Sequence, residues 1–178
     1  FLTILLEDGD LELADGLAAE SPVRVFNSFR ANVSLATIRM NHDHAREALP
    51  LLKRASELDP KNVTPHTMSA EAYRKLRNWA LALKSADAAI AIEPKEAEAH
   101  YQRACALAQL RRPAEAVAAL KYAFDLDDEV YLAEEVEQEP DLKPLAPVRA
   151  FKKVLADIKR AQEGEVPPQK PEPDKQER

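Results

Sequence analysis

Four consecutive polar residues, Asn41, His42, Asp43 and His44, are the first candidates for chemistry in this sequence. Imidazole and carboxylate groups are good zinc ligands, so two histidines flanking an aspartate could bind a metal. A structural zinc site needs a fourth ligand, however, and none is evident nearby. Asp43 or His44 could instead cap the helix that follows, a position that favours aspartate. We therefore predict a polar turn here, with neither a metal nor a cofactor.

Two further histidines and the single cysteine are the other side chains suited to catalysis. His66 and His100 lie 34 residues apart, so we expect equivalent packing positions in a repeated structure and not convergence on a nucleophile. Cys105 would need a nearby cation or a helix start to become a reactive thiolate, and the sequence shows neither clearly. No Gly-x-Ser-x-Gly motif is present. We predict that the chain is not an enzyme.

The stretch from residue 125 to residue 141 contains nine acidic residues and no basic one. It could dock a basic partner or a cation, but its spacing does not match a calcium loop. The next predicted helix carries five basic residues: Arg149, Lys152, Lys153, Lys159 and Arg160. We expect a structural charge balance between this helix and the acidic stretch.

Composition excludes several classes of partner. The 178 residues carry a net charge of −6 and no dense run of Lys and Arg, which argues against nucleic acid because phosphate binding needs a basic surface. No apolar stretch approaches the roughly 18–20 residues that span a bilayer, so we predict no membrane insertion. Only three glycines occur, which disfavours hairpins and phosphate-binding loops.

The elements that must position these side chains repeat every 34 residues. One series of alanines at this spacing is Ala14, Ala48, Ala82, Ala116 and Ala150. Two more series run beside it, Ala36, Ala70 and Ala104, and Ala55, Ala89 and Ala123. A period of 34 residues is the length of one helix–turn–helix unit of a solenoid. Alanines at helix crossings let two helices approach closely.

Helical periodicity extends from Val23 to Ala161. Asp59-Pro60 and Glu93-Pro94 each end a helix, because the residue before proline is pushed out of the α region. Pro113 is placed to open one, where its missing N–H is not needed. The sequence therefore predicts three complete units at residues 29–62, 63–96 and 97–130.

These units resemble the tetratricopeptide repeat family. The middle unit matches best, with Ala70, Tyr73, Ala82, Ala89 and Pro94 at positions of the family pattern. The resemblance covers about residues 1–162. It implies an all-α, right-handed solenoid of antiparallel helix pairs that binds a protein or peptide partner, as an adaptor or scaffold.

The resemblance also implies that a concave groove is lined by the first helix of each unit. By register, the partner-binding positions are Arg30, Asn41, Thr67, Glu71, Arg74, Lys75, Tyr101, Gln102 and Gln109. Other positions on the same faces are Val33, Thr37, Met40, Thr64, Glu98 and Cys105. We expect that replacing Arg74 and Tyr101 together weakens partner binding and leaves the melting temperature nearly unchanged.

A subgroup of the family uses lysines and asparagines to clamp the C-terminal carboxylate of a peptide. The matching positions in this sequence are Val33, Thr37, Met68, Glu98 and Gln102. None of them supplies the lysine–asparagine set, and Glu98 would repel a carboxylate. A chaperone-tail clamp is therefore not expected.

The two ends depart from the repeat pattern. Residues 1–28 fit the frame of a truncated repeat, which implies further chain upstream, and its apolar residues Phe1, Leu2, Leu5 and Leu6 could support self-association. Residues 131–162 fit an atypical repeat that ends in a capping helix with Phe151, Val154, Leu155 and Ile158 on one side. The proline-rich, charged residues 163–178 are expected to be a disordered tail.

An alternative function follows from the truncated first unit. The chain could be the non-catalytic C-terminal part of a larger enzyme, or of a secreted or periplasmic protein, whose catalytic part lies upstream. The repeat pattern fits both this alternative and the adaptor.

Overall fold

The computed structural model describes residues 16, 19, 22–127 and 133–162, and all the regular structure among them is helical. The helices are α1 (Pro22–Phe26), α2 (Phe29–Asn41), α3 (Ala45–Leu58), α4 (Thr64–Lys75), α5 (Trp79–Ile92), α6 (Ala97–Gln109), α7 (Pro113–Leu126), α8 (Ala133–Gln138) and α9 (Arg149–Gln162). A 3-10 helix, Pro140–Leu145, separates α8 from α9. None of these helices combines the length and apolar character that a membrane crossing requires.

Helices α2 to α7 form three consecutive pairs. In each pair the two helices pack against each other, and the second helix also packs against the first helix of the next pair. The first helices α4 and α6 touch each other directly, whereas contacts between α5 and α7 are few or absent. The array therefore curves with its first helices on the inner side. On the inner side, α4 and α6 share one face, and α4 reaches the end of α2 through Lys75, which donates to the carbonyl of Met40 at 3.4 Å.

The alanines at 34-residue spacing lie in the interior of this packing. Nine of them have no solvent exposure: Ala36, Ala48, Ala55, Ala70, Ala82, Ala89, Ala104, Ala116 and Ala123. A larger side chain at a crossing would hold the helices apart. The prediction that these series form the packing contacts is confirmed for all nine.

The alanine series does not continue into the last helix as expected. Ala150 is exposed, and Ala14 lies outside the described residues. The buried face of α9 is formed by Phe151, Val154, Leu155 and Ile158, as the sequence predicted. This face is offset by one residue from the alanine register, because Phe151 is buried where the register places Ala150.

The turn inside each helix pair has the same backbone form. Asp43, Arg77 and Arg111 have φ of 60°, 56° and 58°. In each case the next residue donates its N–H to a carbonyl in the last turn of the preceding helix, His44 to Arg39, Asn78 to Tyr73 and Arg112 to Leu107. This is the Schellman pattern that ends a helix. The Asn41–His44 segment is thus a polar helix-ending turn, as predicted.

Ala82→Leu should destabilise the protein by about 1–3 kcal/mol, because the added side chain has no space at a fully buried helix crossing. Ala91→Leu is the matched control, since Ala91 is an exposed position on the same helix. Urea unfolding of the two variants measures the difference. Equal stabilities for the two variants would contradict the proposed role of the alanines.

Candidate functional site: the concave face

The nine predicted groove residues differ in how much of each side chain reaches solvent. Arg30 and Asn41 on α2 and Lys75 on α4 are exposed. The remaining accessible members are partly buried: Glu71, Arg74, Tyr101 and Gln109. These seven residues are therefore available, in different degrees, to a molecule that lies along the concave face.

Thr67 and Gln102 do not line the groove as predicted. They retain only 8% and 3% of their exposure, and the Thr67 hydroxyl donates to the carbonyl of Thr64 at 2.9 Å. Met40 and Cys105, which were assigned to the same faces, are also buried. All four side chains support the concave surface from beneath. The spacing of residues along a helix predicts which side of the helix they lie on. It does not predict whether other parts of the protein cover that side.

A segment that the sequence did not assign to the groove closes one end of the concave face. Residues Glu139–Leu145, which we call the strap, lie against α6. Leu142 and Leu145 anchor the strap because both side chains are 1% exposed in the core. The side-chain amide of Gln109 donates to the carbonyl of Asp141 at 2.8 Å. Part of the predicted groove is therefore already in contact with the chain itself.

Arg74 is the centre of the contact between α4 and the strap. Its guanidinium lies 3.4 Å from the Glu139 carboxylate and 3.1 Å from the Asp141 carboxylate. The Tyr101 hydroxyl donates to Glu139 at 3.2 Å, and the Arg74 guanidinium carbon lies 5.9 Å from the centre of the Tyr101 ring. Arg74 and Tyr101 thus contact the strap, so we now expect that replacing them lowers the stability instead of leaving the melting temperature nearly unchanged.

Burial controls the protonation of the groups around Arg74. Burial alone would lower the pKa of Arg74, but the surrounding acidic groups outweigh it and raise that pKa, so the side chain remains a cation. Burial raises the pKa of Tyr101 and of Cys105. The phenol is therefore a hydrogen-bond donor, and the thiol is not a thiolate at neutral pH. This state agrees with the prediction that Cys105 is unreactive.

Two carboxyl groups at the concave face are difficult to ionise. Burial raises the pKa of Glu71, and the nearby Glu98 raises it further against the opposing effects of Lys75 and Arg74. Burial also raises the pKa of Asp141 despite the adjacent Arg74. Burial, more than a lack of nearby positive charge, is therefore what opposes the ionisation of both carboxyl groups.

The residues that suggested metal binding or catalysis have other partners. Asp43 forms an ion pair with Lys75 at 3.2 Å, and His44 lies 3.6 Å from Glu47. Within the described ranges, no three His, Cys, Asp or Glu side chains are grouped so that they could hold a metal ion.

His100 has a structural environment. Its Nε2 atom lies 3.0 Å from the carbonyl oxygen of Pro94, and its ring meets that of Tyr122 edge-on, with 4.6 Å between the ring centres. These contacts join α6 to the preceding turn and to α7. For His100, they agree with the packing role that the spacing of the two histidines predicted.

The acidic stretch has two different sets of partners. Lys159 on α9 forms an ion pair with Glu137 on α8 at 2.9 Å, which is the predicted balance between the acidic and basic helices. Glu139 and Asp141 instead pair with Arg74, far away in the sequence. The acidic composition was the only sequence signal for this second contact, and it did not identify the cation.

Residues 97–129 match the profile of the tetratricopeptide repeat family. The chain has the fold of a tetratricopeptide repeat protein. Among curated proteins, no sequence matches it.

Solved structures of tetratricopeptide repeat proteins share this fold. The thermophilic protein TTC0263 of Thermus thermophilus is 23% identical with a TM-score of 0.65, and the alignment covers 86% of this chain and 80% of that one. The MamA RS-1 ArsTM double mutant is 19% identical with a TM-score of 0.65, over 92% and 93% of the two chains. The first tetratricopeptide repeat domain of Spaghetti (RPAP3), bound to the HSP90 peptide SRMEEVD, is 18% identical with a TM-score of 0.57, over 76% and 93%.

Arg74→Met should lower the free energy of unfolding of this helical array by about 2 kcal/mol. The substitution leaves two partly buried carboxylates without their cation. Lys75→Met, which removes a cation paired with the exposed Asp43, should cost less than about 1 kcal/mol. Urea unfolding measures both changes.

A double-mutant cycle separates the ion pairs from packing. In a Glu139→Gln/Asp141→Asn background, the loss caused by Arg74→Met should be smaller than in the wild type. An undiminished loss in that background would show that Arg74 acts through packing alone.

Glu71→Gln should raise the melting temperature at pH 7, with a pH dependence that identifies the cause. The pKa of Glu71 is higher in the folded chain than in the unfolded chain. The folded state is therefore fully stable only below the unfolded-state pKa, where Glu71 is protonated, and it loses stability as the pH rises through the folded-state pKa. The advantage of the variant should therefore vanish below about pH 4 and grow towards neutral pH.

Thermal unfolding across this pH range tests the sign of the effect. Glu135→Gln removes an exposed carboxylate from α8 and controls for the change in net charge. A Glu71→Gln variant that is less stable than wild type at pH 7 would contradict the assignment.

Proposed function

We propose that this chain is a protein-interaction module that receives an extended segment of a partner along its concave face. The proposal is supported by the direct packing of α4 against α6 and by the contact of Lys75 on α4 with the end of α2, which would give the first helices one common surface with large polar side chains. Arg30, Asn41 and Lys75 are exposed on it, and Glu71 is partly exposed. Such a surface can contact several residues of an extended peptide at once.

The solved relatives support the same type of function. The RPAP3 domain is described as bound to a peptide. Another structure with this fold, SycD of Yersinia enterocolitica, is described as a type III secretion translocator chaperone, and is 20% identical with a TM-score of 0.55. Both descriptions concern binding to another protein or peptide. We infer the same general role for this chain and assign it no catalytic step.

The open part of the concave face lies towards α2 and α4. The strap already covers the region around Arg74, Tyr101 and Gln109. A partner that leaves the strap in place would therefore contact α2, the exposed side of α4 and the start of α6. We propose Arg30, Asn41, Glu71 and Lys75 as direct contacts, and Arg74, Tyr101 and Gln109 as residues that shape the end of the site.

The binding face can be tested by replacing exposed residues on one helix layer at a time. Asn41→Ala/Lys75→Ala alters the first helices, and Arg46→Ala/Lys84→Ala alters exposed positions on the second helices. Each variant would be compared with wild type by cross-linking to proteins of the native host and by mass spectrometry. We expect loss of the cross-linked partners for the concave-face variant alone.

The opposite result is equally informative. If the second-helix variant loses the partners and the concave-face variant keeps them, the binding face is the outer layer and the proposal is wrong. Thermal unfolding of both variants establishes that each is folded before the comparison is made.

A further inference from the structure

A cavity of about 510 Å³ lies where the turn between α6 and α7 meets the end of the strap, and we call it the edge cavity. Pro113, Pro144, Leu145 and Val148 give it apolar walls. Among the residues that the structure describes, Arg111 is the only charged one in its lining. The volume is within the range of about 300–1,000 Å³ that is usual for binding pockets, and apolar walls with few polar groups are also typical of them.

The edge cavity adjoins the concave face. Gln109, one of the predicted groove residues, also lines the cavity. Its side-chain amide donates to the carbonyl of Asp141 in the strap at 2.8 Å, which fixes this boundary. A partner segment that leaves the concave face at the end of α6 would therefore meet the edge cavity next.

The cations at the edge cavity are not neutralised by the chain itself. Arg111 is exposed and forms no ion pair within the described part of the chain. The same holds for Lys143 and Arg149, which adjoin the lining residues Pro144 and Val148 in the sequence. The first turn of α9, which carries Arg149, contains no acidic residue. Three cations at or next to the cavity are thus available to a partner.

The acidic residues of the adjoining segments are already engaged. Glu115, in the first turn of α7, accepts two hydrogen bonds from the Arg112 guanidinium, both of 2.7 Å. Asp141 of the strap pairs with Arg74 on the concave side at 3.1 Å. The edge cavity is therefore a local site of uncompensated positive charge on a chain whose net charge is −6.

Arg111 stands at a backbone position that favours glycine. Its φ of 58° lies in the left-handed region, where a side chain is unfavourable and glycine is not. Arg77 occupies the equivalent turn one helix pair earlier, with φ of 56°, and is also exposed. Arg77 is not among the residues that line the edge cavity. The two arginines therefore differ in their relation to the cavity and share their backbone form.

We propose that the edge cavity binds an acidic segment of a partner protein that inserts one large apolar side chain. The apolar side chain would lie against Pro113, Pro144 and Val148, and a neighbouring carboxylate would pair with Arg111. Burial of the apolar group contributes affinity, and the pairing of arginine with carboxylate fixes the direction of the segment. This inference rests on the proposed interaction function and adds a second contact for the partner, outside the concave face.

Three labelled peptides test the apolar and the electrostatic part of the proposal separately. The probe is a short fluorescein-labelled peptide with one central leucine between pairs of glutamates. One comparison peptide has alanine in place of the leucine, and the other has lysine in place of each glutamate. Fluorescence anisotropy with the full chain should show binding of the probe and about tenfold weaker binding of both comparison peptides. General attraction to a chain of net charge −6 would favour the lysine peptide instead.

Two variants with the same net charge locate the site. Arg111→Gly should weaken binding of the probe about tenfold, whereas Arg77→Gly should change it less than about twofold because Arg77 lies outside the cavity lining. Glycine suits the backbone of both turns, so both variants should stay folded with similar melting temperatures. Circular dichroism melting checks this before the affinities are compared.

Several results would overturn the inference. Equal weakening by Arg111→Gly and Arg77→Gly would mean that any exposed arginine attracts the probe. Equal binding of the leucine and alanine peptides would mean that the cavity takes no side chain, and failure of the probe to bind would exclude an acidic segment. If the probe fails while Asn41→Ala/Lys75→Ala still loses its native partners, the interaction function stands and only the edge cavity is wrongly assigned. If Arg111→Gly weakens the probe while Asn41→Ala/Lys75→Ala keeps its partners, the edge cavity stands and the concave face is wrong.

Discussion

Close approach of helices through alanine is the constraint on which the rest of this structure depends. Nine buried alanines, three in each of the three helix pairs, leave out the side-chain bulk that would separate neighbouring helices. Dispersion and apolar burial can then act over the whole helix interface. Because the same contact recurs at equal intervals, each helix pair is rotated by a similar angle relative to the pair before it. The curvature that creates the concave face is a consequence of this repetition.

The concave face is not simply the sum of the inner helix faces. The strap follows α6 as the chain enters the last unit, and its two leucines enter the core. This places Glu139 and Asp141 beside Arg74, a residue of the pair before last. Arg74 therefore joins three consecutive units. A residue whose register indicates a binding contact has instead a structural role at the end of the groove.

The same contact changes the electrostatic character of the site. An arginine and a tyrosine on a groove suggest recognition of an acidic ligand. In the folded chain, the arginine is neutralised and two additional carboxylates accompany it. The position of Arg74 on the groove therefore does not by itself indicate an acidic ligand, because Glu139 and Asp141 already pair with it.

By itself, the sequence determined the all-helical fold, the position of each helix pair, the buried alanines and the apolar side of the last helix. These features depend on contacts within a helix or between adjacent units, which leave a regular period in the chain. Only the tertiary structure decided that Thr67 and Gln102 are covered, that Ala150 lies on the surface and that Glu139 and Asp141 meet Arg74. These depend on how far one unit rotates over the next and on the one-residue offset between the alanine register and the buried face of α9. Neither quantity has a period that can be read along the chain.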